Sequence, residues 1–438
     1  MYRVGLYTLG CKVSLYETEA IAEKFEALGF ERASFDEACD VYVINTCTVT
    51  AESDAKSRKY IRRALRKNPS AIVCVVGCYS QNSPDEVARI DGVSVILGTQ
   101  DKLSAPDYAL GILEGRVTAP VTSVASLNGA KFEKMSIRSA ERTRAYVKIE
   151  DGCECKCTYC AISKARGPVR SKAEADIIAE VEALSRSGTK EIVLTGIETG
   201  SWGADLEDKP CLSELISKLD RRGSCERIRL GSMAPELVSE EFIKRISETK
   251  IMTPHIHLSV QSASDRVLRL MKRRYNSEML YRCVESIYKY MPKARITADL
   301  MVGFPGESEE DFLATLDFVE RAGLLDAHVF AYSKREGTPA KDFDGQVPEQ
   351  LKHERSARLI EKVKEIREKQ LASVVECGEP LYCILESFKD GELTSHSDSY
   401  IEVRCKGDEE LCGEIVRIKP VSHENGVILG EIIDQVNK

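Results

Sequence analysis

Short apolar runs alternate with amphipathic stretches along the first hundred residues. Runs at 3–9, 41–45, 71–76 and 93–97 predict strands, and the segments between them carry helical periodicity, the pattern of a small parallel α/β sheet. Residues 118–141 are rich in Ser, Ala and Thr and poor in large apolar side chains, so a connection between domains is expected there. The alternation then resumes at larger scale. Strands are predicted at 145–149, 191–195, 227–230, 255–260, 295–302 and 327–332, with helices such as 173–187 and 309–322 between them. Six βα units fall short of the eight that close a TIM barrel, so an open, partial (β/α)6 barrel is expected. A charged helical segment at 350–376 gives way to short alternating strands at 380–387, 400–403 and 414–420. These predict a small antiparallel β-barrel of the size of a nucleic-acid-binding module. The expected division is an N-terminal α/β domain at 1–117, a linker at 118–141, a catalytic barrel at 142–372 and the small β-barrel at 373–438.

Composition narrows the class. A chain of 438 residues exceeds one typical core, and 43% hydrophobic with 30% charged residues describes an ordinary soluble protein. Sixteen cysteines are too many for chance packing and too dispersed for a disulfide framework, which points to metal or cluster chemistry in a reducing cytoplasm. The first residues lack the charged flank and apolar run of a signal peptide, and no later segment reads as a membrane span. The net charge of −8 argues against a nucleic-acid partner taken globally, so local charge decides. Within 58–67, Arg58, Lys59, Arg62, Arg63, Arg66 and Lys67 fall on one half of a helical wheel, with Tyr60, Ile61, Ala64 and Leu65 on the other. Such a helix docks its apolar side and offers cations either to phosphates or to solvent.

The chemistry concentrates in Asp151-Gly152-Cys153-Glu154-Cys155-Lys156-Cys157-Thr158-Tyr159-Cys160. Cys153, Cys157 and Cys160 are spaced so that one short loop wraps a single inorganic cluster and leaves one metal corner without a protein ligand. A zinc knuckle with Cys155 as a fourth thiolate, or a set of structural thiols, is the competing reading. A second set, Cys11, Cys47 and Cys78, follows the first three predicted strands at separations of 36 and 31 residues. Carboxyl ends of parallel strands line the ligand crevice, so these thiols meet as ligands of a second cluster or sit there as buried free cysteines. Cys39 and Cys74 lie off this register and read as packing residues.

Further candidates should end at the same face of the partial barrel. Thr195 and Gly196 close the second strand, where glycine admits a ligand to the backbone, and Glu198 offers a partner to an ammonium group. His257, Ser259 and Gln261 alternate along the fourth strand and share one face. Gly303 lies in a loop at 299–307 suited to hugging a nucleoside, or to an ordinary strand-to-helix turn. Arg170 reads as a ligand for a carboxylate or for RNA, and Lys272-Arg273-Arg274 as a basic patch or a surface helix end.

The Cys-x3-Cys-x2-Cys loop, with Tyr159 before its last cysteine, resembles the signature of the radical S-adenosylmethionine (SAM) superfamily. The two three-Cys sets and the domain order together resemble the radical SAM methylthiotransferases, whose C-terminal module is a TRAM domain. The resemblance implies that Cys153, Cys157 and Cys160 hold a SAM-cleaving [4Fe-4S] cluster and Cys11, Cys47 and Cys78 an auxiliary one. It implies SAM contacts from Tyr159, Thr195, Gly196, Glu198, His257, Ser259, Gln261 and Gly303. Leu9-Gly10-Cys11-Lys12-Val13, Asn45-Thr46-Cys47-Thr48-Val49-Thr50 and Tyr332-Ser333-Lys334-Arg335-Glu336-Gly337-Thr338-Pro339 resemble the branch that acts on N6-threonylcarbamoyladenosine at position 37 of tRNA. Ser14, where asparagine is usual, and Glu198, where histidine is common, depart from that branch. Sister branches act on isopentenyladenosine in tRNA or on an aspartate of ribosomal protein S12. The implied mechanism cleaves one SAM to a radical that removes hydrogen from C2 of adenine, while a second SAM methylates sulfur on the auxiliary cluster. Its partners are the tRNA anticodon loop, an electron donor such as flavodoxin or ferredoxin, and a sulfur source, with no membrane. A zinc-stabilised, non-enzymatic RNA-binding protein is the rival from another class.

Overall fold

The computed structural model describes residues 1–140 and 143–435. The expected linker end at Glu141, the expected domain start at 142 and the segment 436–438 lie outside the described residues. Strands β1 (Arg3–Thr8), β2 (Glu31–Ala33), β3 (Val41–Thr46), β4 (Ile72–Gly77), β5 (Val93–Leu97) and β6 (Val121–Ser123) form one parallel sheet in the order β2-β1-β3-β4-β5-β6. The helix Lys12–Ala27 packs Ile21 and Phe25 against Val4, Val41 and Val43 on one face. The helix Ala51–Lys67 packs Ile61 and Ala64 against Tyr42, Ile44 and Val73 on the other. The chain therefore leaves β1 and β3 in opposite directions, and a crevice opens between their carboxyl ends.

Two expectations for this region are corrected. β2 and β6 have three residues each, too short for a periodic signal, and β6 lies inside the expected linker. The rest of that segment is docked as well: Leu127, Met135 and Ile137 are buried, and Tyr16 donates to the Met135 carbonyl at 2.8 Å. Three well-spaced anchors fix a stretch whose average composition is that of a loose connection.

The central unit begins with β7 (Arg144–Lys148), followed by a short antiparallel pair, β8 (Glu150–Asp151) and β9 (Arg170–Ser171). β10 (Glu191–Thr195), β11 (Arg227–Leu230), β12 (His255–Gln261), β13 (Arg295–Val302) and β14 (Asp326–Ala331) complete it. The ladders run β11-β10-β7 and β12-β13-β14, all parallel, joined by the bridges Ile228↔Met252 and Met233↔Leu258. This is the open six-stranded half-barrel expected, with the carboxyl strand ends on one side.

The helix Glu349–Cys377 runs unbroken for 29 residues. Leu359, Val363 and Ile366 belong to the central core, whereas Leu371, Val374 and Val375 pack under the C-terminal barrel. The boundary expected at 372/373 thus falls inside one helix, because its apolar stripe continues across it. β15 (Leu381–Lys389), β16 (Glu392–Ser397), β17 (Glu402–Lys406), β18 (Ile415–Glu424) and β19 (Val427–Gln435) close in the order β15-β16-β17-β19-β18. One pair, β17 with β19, is parallel, which corrects the expectation of an all-antiparallel barrel. The barrel stoppers the amino end of the half-barrel. Tyr400 stacks on His255 at 4.5 Å and lies 5.0 Å from the Arg229 guanidinium, while Arg144 binds Glu386 at 2.6 Å. Among the described residues no helix is long and apolar enough to cross a membrane.

The α/β domain is joined to the half-barrel by buried charge. Glu17 of the first helix binds Lys102 at 2.6 Å, Lys148 of β7 at 2.8 Å and Arg166 at 2.6 Å. Asp151 joins the network through Lys148 at 2.6 Å and through Arg166 and Arg170 at 3.3 Å. Burial opposes the Glu17 charge, but Arg166, Lys102 and Lys148 overcome it and hold the carboxyl well below its ordinary range. Removing one member of such a set strands the others in low dielectric, so Glu17→Gln should destabilise by about 3–5 kcal/mol. Chemical denaturation checks this, with the exposed pair Lys56–Glu52 as control: Glu52→Gln should leave the midpoint where it is.

Candidate functional site

The cysteine loop follows β8 and turns sharply at Gly152, whose φ is +93° and where any side chain would meet the Pro168 carbonyl at 2.0 Å. The Cys153 amide donates to the Gly167 carbonyl at 2.9 Å, and Thr158 Oγ1 to the Leu270 carbonyl at 2.8 Å. So held, Cys153, Cys157 and Cys160 line a cavity of about 220 Å³ at the carboxyl ends of the strands. Tyr159, Glu198, Ser259 and Gln261 line it from the half-barrel, and Val49 and Thr50 from the α/β domain. Arg335, just past β14, clamps the two domains over it with bonds to Thr48 at 2.7 Å and Asp54 at 2.6 Å.

The polar groups around the cavity are poised rather than satisfied. Arg273 donates to Cys157 Sγ at 3.4 Å and to the Ser259 carbonyl at 3.0 Å, while its Nε has no partner. Gln261 has φ +61° and a buried Oε1 without a donor. Burial pushes the Glu198 carboxyl up to about 7, although the Ala234 amide donates to it at 3.0 Å. Three thiols, one guanidinium, a buried carboxyl and one unpartnered amide oxygen around one space fit a cluster with an open corner and a small zwitterion bound on it. They do not fit zinc. Sulfurs around one zinc ion lie about 3.8 Å apart. Among the described residues, the one set of three ligand atoms gathered within 4.8 Å is instead His257, Asp299 and His328.

The remaining predicted residues divide. His257 faces the lumen below the cavity rather than lining it. Thr195 and Gly196 stand behind the cavity. A side chain on Gly196 would meet Glu150 Oε2 at 2.5 Å, and that carboxylate accepts the Glu198 amide at 2.9 Å, so this pair shapes the turn. Gly303 packs on Lys352, away from the cavity. Two expectations are corrected. Arg170 is buried and donates to the Arg166 and Pro168 carbonyls at 2.7 and 3.0 Å, so it braces the loop from inside rather than presenting a charge at the surface. The triplet Lys272-Arg273-Arg274 is no uniform surface patch, because Arg273 turns into the cavity and Arg274 donates to the Glu154 carbonyl at 3.0 Å.

Cys11, Cys47 and Cys78 sit at the carboxyl ends of β1, β3 and β4. Gly10, with φ +122°, brings the first two loops together: a Cβ there would lie 3.3 Å from Cys47 Cβ. Burial pushes the Cys78 thiol up to about 11, against the pull of Arg166, whose Nε donates to its sulfur at 3.2 Å. A guanidinium aimed at a buried sulfur suits a thiolate ligand. Ser14 Oγ lies 3.8 Å from Cys11 Sγ, while Cys39 and Cys74 are buried in the packing. The sequence reading missed Arg166 and Arg273. The available signal was position: Arg166 ends the helix that starts just after Cys160, and Arg273 lies in the turn that closes the short helix after β12.

Residues 147–319 match the family model described as the radical SAM superfamily, and residues 3–98 the one described as uncharacterized protein family UPF0004. The chain is 41% identical over 427 residues to the threonylcarbamoyladenosine tRNA methylthiotransferase MtaB of Bacillus subtilis, covering 96% of this chain and 94% of that one. It is 32% identical to the tRNA-2-methylthio-N(6)-dimethylallyladenosine synthase of Clostridium perfringens, covering 98% and 97%. The radical S-adenosylmethionine methyltransferase TsrM of Kitasatospora setae shares the fold, with TM-score 0.57 and 16% identity over 78% of this chain and 74% of that one.

Glu198 supplies a test of the cavity's electrostatics. Its carboxyl, ordinarily near 4.5, holds its proton to about 7 when folded, so stability falls as pH rises through this window. Glu198→Gln should therefore unfold at a higher temperature than the parent at pH 8, with the gap closing at pH 5. Thermal scans showing the same gap at both values would rule this out.

Proposed function

The chain belongs to the radical SAM methylthiotransferases, and from that premise we propose that it attaches a methylthio group to C2 of N6-threonylcarbamoyladenosine at position 37 of tRNA. The 41% identity to an enzyme named for that activity, across 96% of the chain, carries the reading. Cys153, Cys157 and Cys160 would hold the SAM-binding [4Fe-4S] cluster, and Cys11, Cys47 and Cys78 the auxiliary one. When bound, these groups supply one-electron cleavage of SAM and the sulfur to be transferred. Arg273 and Arg166 each set a fixed positive charge against one sulfur of a three-Cys set, suited to balancing the negative charge of a cluster and its thiolate ligands. Glu198 and Gln261 offer acceptors to the amino end of SAM. The Val49–Thr50 loop and Tyr332 cover the cavity and limit the water that reaches it. An electron donor such as flavodoxin or ferredoxin and a sulfur source complete the reaction, in the cytoplasm.

The anticodon loop presents unpaired bases that can be splayed into such a pocket. The helix Ala51–Lys67 starts at the cavity mouth and carries Lys59, Arg62 and Arg66 exposed along one side. At about 1.5 Å per residue it extends ~25 Å outward, a reach suited to the phosphates of the stem. Replacing these three residues by glutamine should weaken tRNA binding uniformly across tRNAs. It should also flatten the plot of log affinity against log salt by about 2–3, the loss of three phosphate contacts. An unchanged slope would remove this helix from the interface.

The activity is tested by nucleoside mass spectrometry after anaerobic reaction with SAM, reductant and tRNA bearing either modified adenosine. Methylthio product from the threonylcarbamoyl substrate alone is expected, and product from isopentenyladenosine alone would overturn the branch. Cys157→Ala should abolish SAM cleavage, whereas Cys47→Ala should retain cleavage and yield no methylthio product.

A further inference from the structure

β12, β13 and β14 present two successive rungs of side chains to the inside of the half-barrel. Ser259, Met301 and Phe330 belong to the upper rung and line the cavity. Two residues earlier on each strand, His257, Asp299 and His328 form the rung beneath, on the same face and about 7 Å deeper. They make one connected group. Thr297 Oγ1 lies 2.7 Å from His257 Nδ1, His257 Nε2 lies 3.3 Å from Asp299 Oδ2, and Asp299 Oδ1 lies 3.1 Å from His328 Nδ1.

Two features separate this rung from a satisfied core cluster. The His328 side chain is 77% exposed, so the group borders open space. A cation also stands beside it. Lys12, next in sequence to Cys11, opens the helix Lys12–Ala27 within electrostatic reach of Asp299 and His328. An apolar substituent placed here would strip water from Asp299, His328 and Lys12 and offer no polar contact in its place. A ligand with N–H or O–H donors and an anionic end would satisfy all of them. C2 and C6 of adenine flank N1, so a base with C2 at the upper rung can lower its N6 substituent onto the next.

We propose that the His257–Asp299–His328 rung, with Lys12 beside it, binds the N6 substituent of the target adenosine. Asp299 takes the ureido or hydroxyl donors, and His328 and Lys12 take the carboxylate. This rests on the threonylcarbamoyl substrate assigned above, and it makes these four residues the ones that select that substrate.

The test compares the reconstituted holoenzyme on tRNA carrying threonylcarbamoyladenosine and on the same tRNA with that carboxylate converted to its methyl ester. The wild type should prefer the free acid at least tenfold in kcat/KM. His328→Ala and Lys12→Ala should lose that preference through a raised KM, and His328→Gln, which keeps a donor, should recover part of it. Iron content, measured for every variant, verifies that both clusters are loaded. Equal use of acid and ester by the wild type, or a preserved tenfold preference in both alanine variants, would overturn the inference. No product from either tRNA, with product from isopentenyladenosine, would overturn the substrate assignment and this inference with it. One equivalent of zinc or cobalt bound by the wild type and lost in Asp299→Asn would make the rung a metal centre and overturn it as well.

Discussion

The site depends on one buried carboxylate. Glu17 belongs to the α/β domain, yet its partners Lys148 and Arg166 belong to the half-barrel, and Arg166 in turn touches Cys78. A single ion network therefore ties the helix after Cys11, the helix after Cys160 and the sulfur of Cys78 into one body. Burying ions is costly, and an apolar interface of the same size would hold two domains at least as well. What the ions add is register: a guanidinium shared between two carboxylates and a thiol tolerates little sliding. A cavity lined from both domains needs that restraint more than it needs extra stability.

The same network biases the electrostatics. Lys102, Lys148, Arg166 and Arg170 meet Glu17 and Asp151, leaving positive charge in excess beside the first three-Cys set. At the second set Arg273 plays the corresponding part. Each thiol triplet thus has a guanidinium on one sulfur, supplied by the half-barrel. At Cys78 that charge works against burial, which still holds the thiol above its ordinary range.

Much of this was legible in the sequence where the signal was periodic or chemically distinctive. The strands at 191–195, 227–230 and 295–302 form over those residues because short segments rich in β-branched and aliphatic side chains between breakers leave little alternative. The spacing of the six cysteines pointed to two three-Cys sets. The illegible parts were short or relational. Three-residue strands such as β2 and β6 carry no period, and β17 and β19 reveal their parallel pairing only once the barrel closes. Arg170 and Arg273 read as exposed cations because arginine usually is exposed. Arg170 is held by the nearby Arg166 and Pro168 carbonyls and by Asp151, and Arg273 by the Ser259 carbonyl and the Cys157 sulfur, partners that composition does not reveal.

The C-terminal barrel looks separable in sequence, a small module behind a charged helix. Its seat says otherwise. Tyr400 covers His255 and Arg229, and Glu386 neutralises Arg144, so the barrel forms the floor of the chamber whose ceiling holds the cysteines. The helix Glu349–Cys377 welds it to the wall. The architecture is a vessel with a fitted base, and evolutionary shuffling of the base must carry its aromatic plug and acidic contact along. A protein of this kind diversifies by changing what lines the vessel while the parts that close it stay matched.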